Sequence, residues 1–493
     1  MKHIFIKGAA ALSLGLALTS CGDKFLETEV FNGIDTETAL DNVTNIGYAV
    51  NGTYYNLMYY YFAGNYATSI GDVASDISYW NGKTGHFDAI YQFKPEDTNT
   101  YLRCIWLYGY RVADNAARVI SASDALESSL DEEGLDELNL YKAEAYALRA
   151  YAHLTLVNVF AHQVKVDGQD FSSQPGIVVL EEPKTISDKV ERSSVGTAYA
   201  SIVSDLKESL KCFDNTSYSR ESMFYFSPAS VSGLLARTLL YMEEYDEAAS
   251  YAQDALDLSG ISSLVDTPAD YRALYMGGDS NIESMFALAI DTQTNWSANS
   301  CGTLWSTYNY SPSPWLQSVM ATGDCRRAVW AWHQQSSPEV PVFMSGKFSA
   351  YGLGGNPANA TNYLINAPEM FLIRAEAAIH DNDVAGAQAA LLAVAKRNPA
   401  ITSTADLPSD TDALFSFLKE ERARELFQEG HRLWDLRRWG GKVSVSPIGA
   451  PAVAFSYTGY EIGNLVFPIP VDEINTGAGV TQTEGWRATL PSK

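Results

Sequence analysis

Apolar positions along this chain recur at helical spacing in paired segments, each pair divided by a short polar turn or a longer polar insertion. The clearest pair runs from Ser227 to Gly260, "SPASVSGLLARTLLYMEEYDEAASYAQDALDLSG". Ser227 suits an N-cap, with Pro228 at the first helical position, and Leu235, Leu239 and Met242 form an apolar stripe. "EEYDEA" turns the chain, Ala248, Ala249 and Ala255 follow on a second helix, and Gly260 can stop it. A second pair spans Glu369 to Arg397, again Ala-rich with a polar turn. Two looser pairs are split by insertions: Ala39–Tyr60 with Trp106–Ala122, and Ala145–Ala161 with Tyr199–Phe213. The pattern predicts an all-α fold in which four helix pairs form a scaffold.

Small residues on these helices let their axes approach closely, and the pairs resemble tetratricopeptide units. The insertions differ in composition. Residues 62–101 are rich in Gly, Asp, Asn and aromatics, and residues 162–197 hold a strand-like run, "GIVVL". The longest irregular region, about residues 262–365, contains "TNWSANSCGTLWSTYNYSPSPW" (Thr294–Trp315) and "SAYGLGGNPANATNY" (Ser349–Tyr363). Long loops on a rigid scaffold carry function or are disordered, and the many aromatics here argue against disorder. The expected organisation is a leader over 1–20, an N-terminal helical region over 21–220, and a C-terminal region over 221–493 that carries this loop-rich excursion and little β structure.

The leader follows from its own pattern. Lys2 and Lys7 precede an apolar run, "GAAALSLGLAL" (Gly8–Leu18), too short to span a bilayer and followed by small residues. The sequence "LTSC" resembles a bacterial lipobox, so Cys21 is the expected lipidation site of a chain anchored to the membrane by its N-terminus. Losing Lys2 and Lys7 with no acid moves the formal charge from −25 to −27. Such an acidic body repels phosphate backbones and excludes nucleic acid as a natural partner. Of the remaining cysteines, Cys104, Cys212, Cys301 and Cys325, an oxidising compartment permits disulfides, while a chain of this length buries a large core without them.

No P-loop, HExxH, GxSxG, CxxC or EF-hand pattern is present, and no two histidines lie at i,i+4, so catalysis is not expected. The segment densest in charge is Glu420–Gly440, "EERARELFQEGHRLWDLRRWG". Phe415, Leu418, Leu426, Phe427, Leu433 and Trp434 recur there at helical spacing, and Arg422 falls on the apolar stripe, where it needs a carboxylate partner. Glu421, Glu425 and Glu429 form a row of like charges, relieved in part by Glu421–Arg424 and Glu429–Arg432 at i,i+3 and needing partners from other helices, with Arg149 and Arg374 as candidates. Glu421, Arg422, Glu425, Glu429 and Arg432 are therefore expected to form a structural ionic clasp. Gly430 marks a break or a close helix contact.

These motifs resemble the SusD/RagB-like family of nutrient-binding lipoproteins. The C-terminal signature ER-x-x-EL-x-x-EG-x-R-x-x-DL-x-R-W is matched by Glu421-Arg422, Glu425-Leu426, Glu429-Gly430, Arg432, Asp435-Leu436 and Arg438-Trp439. "FPIPVDEI" (Phe467–Ile474), "VTQTEGW" (Val480–Trp486), "EMFLIRAEA" (Glu369–Ala377), "GDCRR" (Gly323–Arg327) and "CGDKFLE" (Cys21–Glu27) match further motifs; "INAPEM" and "VAKRN" depart from the usual pattern. The resemblance implies four tetratricopeptide-like pairs with a ligand-facing excursion. It also implies a surface-exposed, lipid-anchored outer-membrane protein seated on a SusC-like TonB-dependent β-barrel, capturing oligosaccharides for import without catalysis. No cofactor is implied, and nothing in the sequence supports a Ca²⁺ site. Two alternatives stay open: the same architecture binding peptides or another nutrient, and a lipid-anchored scaffold binding only proteins.

Sugar faces stack on aromatic rings while their hydroxyls need nearby polar groups. Two loop clusters meet that need: Tyr79, Trp80 and Asn81, and Trp296, Trp305, Tyr308, Tyr310 and Trp315. These eight are the glycan-binding candidates.

Overall fold

The computed structural model describes residues 39–80, 82, 84–308, 310–333, 342–348, 350–445 and 457–490. The leader, Cys21 and Asn81 lie outside the described residues. In chain order the principal helices are α1 (Val43–Met58), α2 (Tyr66–Val73), α3 (Thr100–Leu126), α4 (Glu132–Phe160), α5 (Val195–Asp214), α6 (Pro228–Tyr241), α7 (Tyr245–Ser259), α8 (Cys301–Thr307), α9 (Ala367–His380), α10 (Val384–Ala395), α11 (Thr411–Glu425) and α12 (Arg432–Arg438).

Helix α1 packs on α3, α4 on α5, α6 on α7 and α9 on α10, the four pairs expected from the pattern, and α7 against α9 joins the last two. Local chemistry sets many of the boundaries. Asn42, Asn99, Asp131 and Ser194 cap α1, α3, α4 and α5 by accepting first-turn N–H groups. Ser227 and Ser230 form a reciprocal capping box at α6 with Pro228 behind it, and Gly260 ends α7 in the left-handed conformation. Helices α3 and α4 run well beyond their expected limits; the added first turns of α4 are largely polar and lie at the surface, where no apolar period announces them.

Strands are short and paired in twos. Ser284–Ala287 pairs with Tyr363–Asn366, closing the excursion onto the scaffold, and Ser78–Trp80 pairs with Tyr310–Pro312. The "GIVVL" run forms no strand: it is an extended segment tied by Val178 N–H to the Tyr110 hydroxyl and by Leu180 N–H to His153 Nε2. Beside an isolated antiparallel bridge between Pro175 and Ser194, Gly176 N–H bonds Ser193 O and Ile177 O accepts from Ser193 N–H, a contact too short to make a strand. The buried core is continuous from α1 to Val480, and Cys104, Cys212, Cys301 and Cys325 are free, buried thiols.

The charged segment sits inside this core. Arg422 Nε donates to Asp435 Oδ2 at 2.7 Å, and Asp435 also accepts from Arg438, which grips Glu376 of α9 through both nitrogens at 2.6 and 2.8 Å. Glu421 accepts from Arg326 and Arg424; Glu425 accepts from Arg326 and Arg397; Glu429 accepts from Lys347. Arg432 reaches back to Asp76 through Nε and Nη2 at 2.8 and 2.9 Å. Burial opposes the charges of Glu421 and Asp435, yet the adjacent guanidinium groups outweigh it and hold both carboxyls down to about 2.

Two expected details differ. The partners the glutamate row finds beyond its own segment are Arg326, Arg397 and Lys347, whereas Arg149 pairs with Asp205 across α4 and α5. Glu429 and Arg432 do not pair, because the chain leaves the helix between them: Gln428 and Gly430 adopt φ of 66° and 84°. That turn presses on α2, where a Cβ on Gly430 would stand 2.3 Å from the Thr68 carbonyl oxygen. Gly430 is thus both a helix break and a close contact. Asp72 of α2 accepts the N–H groups of Gly430 and Arg432, and burial pushes its carboxyl up to about 7.

Candidate functional site: an aromatic ridge at the end of α1

The last turns of α1 and the turn after it read "TYYNLMYYYFAGNY", Thr53–Tyr66. Thr53, Tyr54 and Leu57 face the core and Tyr55 faces solvent, 54% exposed. The helix ends at Met58 because Tyr59 turns to an extended conformation, φ −62° and ψ 143°. Phe62 N–H then bonds the Tyr59 carbonyl at 2.8 Å and Phe62 plugs into the core, which leaves Tyr59, Tyr60 and Tyr61 half-buried at the surface. Asn362 fastens the turn from the excursion, donating to the carbonyls of Ala63 and Gly64.

Trp296 docks on this turn. Its indole Nε1 donates to the Met58 carbonyl at 2.9 Å. Gly64 makes that approach possible, since a Cβ there would lie 2.1 Å from Met58 O and 3.0 Å from Trp296 Nε1. The loop carrying Trp296 is held by Ser300, whose hydroxyl accepts from Trp296 N–H and donates to Ala358 O, and by Asn65, which donates to Asn299 O at 2.8 Å.

The result is a set of mutually supported, partly exposed rings. Tyr59 lies 4.6 Å from Trp296, stacks on Tyr60 at 4.8 Å, and stacks nearly parallel on Tyr108 of α3 at 4.8 Å. Tyr55 meets Trp296 edge-on at 5.9 Å, and Tyr61 meets Tyr108 edge-on at 5.2 Å. The ridge continues from Tyr60 through Tyr66 to Tyr101 and Phe87. Burial, followed by the neighbouring hydroxyls of Tyr61 and Tyr59, raises the Tyr60 phenol well above its ordinary value, and burial raises Tyr66 and Tyr108. All three stay protonated at neutral pH, each able to donate and accept a hydrogen bond. Beside the ridge, between α1 and α3, runs a groove of about 680 Å³ whose lining includes Gly52, Asn56, Asn115 and Arg118.

Of the residues singled out from the sequence, Trp296 stands in this ridge. Tyr79 and Trp80 are buried on their strand, Tyr310 is buried opposite with its hydroxyl on His86 O, and Trp305 is buried against Tyr310 and Phe427. These four rings are spent on packing and offer no face to a ligand, which corrects the expectation for them. Tyr308 is half-buried and stacks on His86 at 3.6 Å, and Trp315 lies under the Arg432 guanidinium at 5.0 Å. Tyr55, Tyr59, Tyr60 and Tyr108 were missed because they belong to predicted helices, and Tyr61 because it directly follows one; the signal was the "MYYYF" run, too aromatic for one buried helical face. Among the described residues no three His, Cys, Asp or Glu side chains gather into a metal-holding group, and no helix is long and apolar enough to cross a membrane.

Comparison with known proteins agrees with this architecture. Residues 342–486 match the SusD family, and residues 22–240 match the family described as "Starch-binding associating with outer membrane". The chain belongs to the SusD/RagB-like family. A SusD superfamily protein of Bacteroides thetaiotaomicron shares 20% identity over 90% of this chain and 99% of its own, with a TM-score of 0.77. One from Bacteroides vulgatus shares 21% over 90% and 99%, also at 0.77. A SusD-like carbohydrate binding protein of Bacteroides vulgatus shares 19% over 92% and 98%, at 0.71. No curated protein matches the sequence.

Proposed function

We propose that this chain is a surface glycan-binding protein, anchored to the outer membrane by lipid on Cys21, that captures oligosaccharides for a SusC-like TonB-dependent β-barrel. The observation carrying this reading is the cluster of partly exposed rings about Trp296. Tyr55, Tyr59, Tyr60, Tyr61 and Tyr108 combine apolar faces with hydroxyls, the combination a sugar ring with axial C–H groups and equatorial hydroxyls requires. The rings brace one another and the turn beneath them is pinned from two loops, so little ordering remains to oppose binding. Family membership and a structural neighbour named as a carbohydrate binding protein support the ligand class. The function needs capture alone, and no catalytic step is assigned.

The test is affinity electrophoresis and calorimetry against a panel of plant and host oligosaccharides, with Trp296→Ala and Tyr59→Ala as variants. Each ring should contribute about 1.4 kcal/mol, so each variant should lose about tenfold in affinity while its melting stays cooperative. Undiminished glycan affinity in both variants, or binding of peptide pools with no glycan bound, would remove this assignment.

A further inference from the structure

Three arginines project from α3 near the ridge: Arg103, Arg111 and Arg118. The outer two are neutralised, Arg103 by Asp472 at 2.6 Å and Arg118 by Asp114 at 2.7 Å. Arg111 is exposed, and among the described residues no carboxylate lies within ion-pairing distance of it. The acid one turn further along, Asp114, is already taken by Arg118 and by the N–H of Lys184. Arg111 instead lies over the Tyr108 ring, 4.4 Å from its centroid. The i,i+3 spacing and the lean of helical side chains toward the N-terminus place it there. Tyr108 is itself immobilised by Tyr59, so the guanidinium is held at the rim of the aromatic surface.

In a chain of formal charge −25, an uncompensated cation fixed beside a ligand-facing surface is conspicuous. A guanidinium presents a planar fork that matches a carboxylate with two parallel hydrogen bonds. A neutral glycan would use those N–H groups only as hydrogen bonds to hydroxyls, whereas an acidic one also gains from the charge, in a body whose negative field would otherwise repel it. Asn115, one turn beyond Arg111, and Asn56 line the adjoining groove with carboxamides suited to sugar hydroxyls. We infer that the glycan taken by this site is acidic, a uronate-containing oligosaccharide whose carboxylate is bound by Arg111 while its sugar rings lie along Tyr59, Tyr60 and Trp296. The inference rests on the glycan-binding assignment above and narrows it.

Oligogalacturonates and their methyl esters separate charge from sugar shape, and a neutral panel of malto- and xylo-oligosaccharides tests the underlying assignment. The expected result is binding of the free acid about tenfold tighter than the ester, weakening with added salt. Arg111→Gln abolishes that preference and Arg111→Lys retains part of it. Both variants should melt as the parent does, since the side chain is exposed. Equal affinity for acid and ester, a preference that survives in Arg111→Gln, or binding confined to the neutral panel overturns the inference and leaves glycan binding standing. Failure to bind any member of either panel overturns both.

Discussion

Arg422 tests whether the charged C-terminal segment holds the scaffold or serves the ligand. Its side chain is buried, with Nε on Asp435 and both terminal nitrogens lacking hydrogen-bond partners. Removing one partner of a buried pair typically costs about 3–5 kcal/mol, because the other charge is left without compensation. Here Asp435 keeps Arg438, and two unpartnered guanidinium nitrogens disappear with the substitution, so Arg422→Met should lie at the low end, about 3 kcal/mol. Unfolding entropy of about 2.1 cal/mol/K per residue gives roughly 1 kcal/mol/K for a cooperative unit of this length, so calorimetry should record a fall in Tm of about 3 °C. The double variant Arg422→Met/Asp435→Leu removes both charges and leaves Arg438 on Glu376; it should fall short of additivity by about 1 kcal/mol or more. Glycan affinity should not change in either. Unchanged Tm with lost binding would refute the structural role, and strict additivity would refute the pairing.

Two further outcomes follow from the same geometry. Burial alone would raise the Glu421 carboxyl, but Arg326 and Arg424 hold it near 2, below its unfolded value; its contribution, about 3 kcal/mol, is present above about pH 5 and lost as pH falls through 2. The stability advantage of the parent over Glu421→Gln, measured by denaturant titration, should therefore shrink between pH 6 and pH 2, and a constant advantage would contradict the assignment. Gly64→Ala places a methyl against Met58 O and the Trp296 indole, so it should weaken glycan binding with a modest loss of stability; retained affinity would show that Trp296 need not sit where it does.

Much of the scaffold was legible because helices announce themselves locally. Apolar period, the Ser227 cap, Pro228 and Gly260 are nearest-neighbour signals, and they located the four helix pairs. The partners of the glutamate row were not legible in that way. "GDCRR" and "VAKRN" supply Arg326 and Arg397 to Glu425, yet they lie 99 and 28 residues from it, and no local pattern encodes which distant cation a buried acid meets. Gly430 was recognisable as a break, while its carbonyl-close approach to α2 depended on where α2 came to rest.

The ligand surface divides along the same line. Sequence alone determined that aromatic residues crowd the loops between the helix pairs, and that the acidic body is a poor match for nucleic acid. Only the tertiary structure decided which rings are free. Trp305 and Trp296 sit nine residues apart in one irregular segment, yet Trp305 fills the core against Phe427 while Trp296 rests on a glycine turn from the far end of the chain. Burial depends on the whole packed surroundings of a side chain, and in a loop no periodicity reports those surroundings in advance.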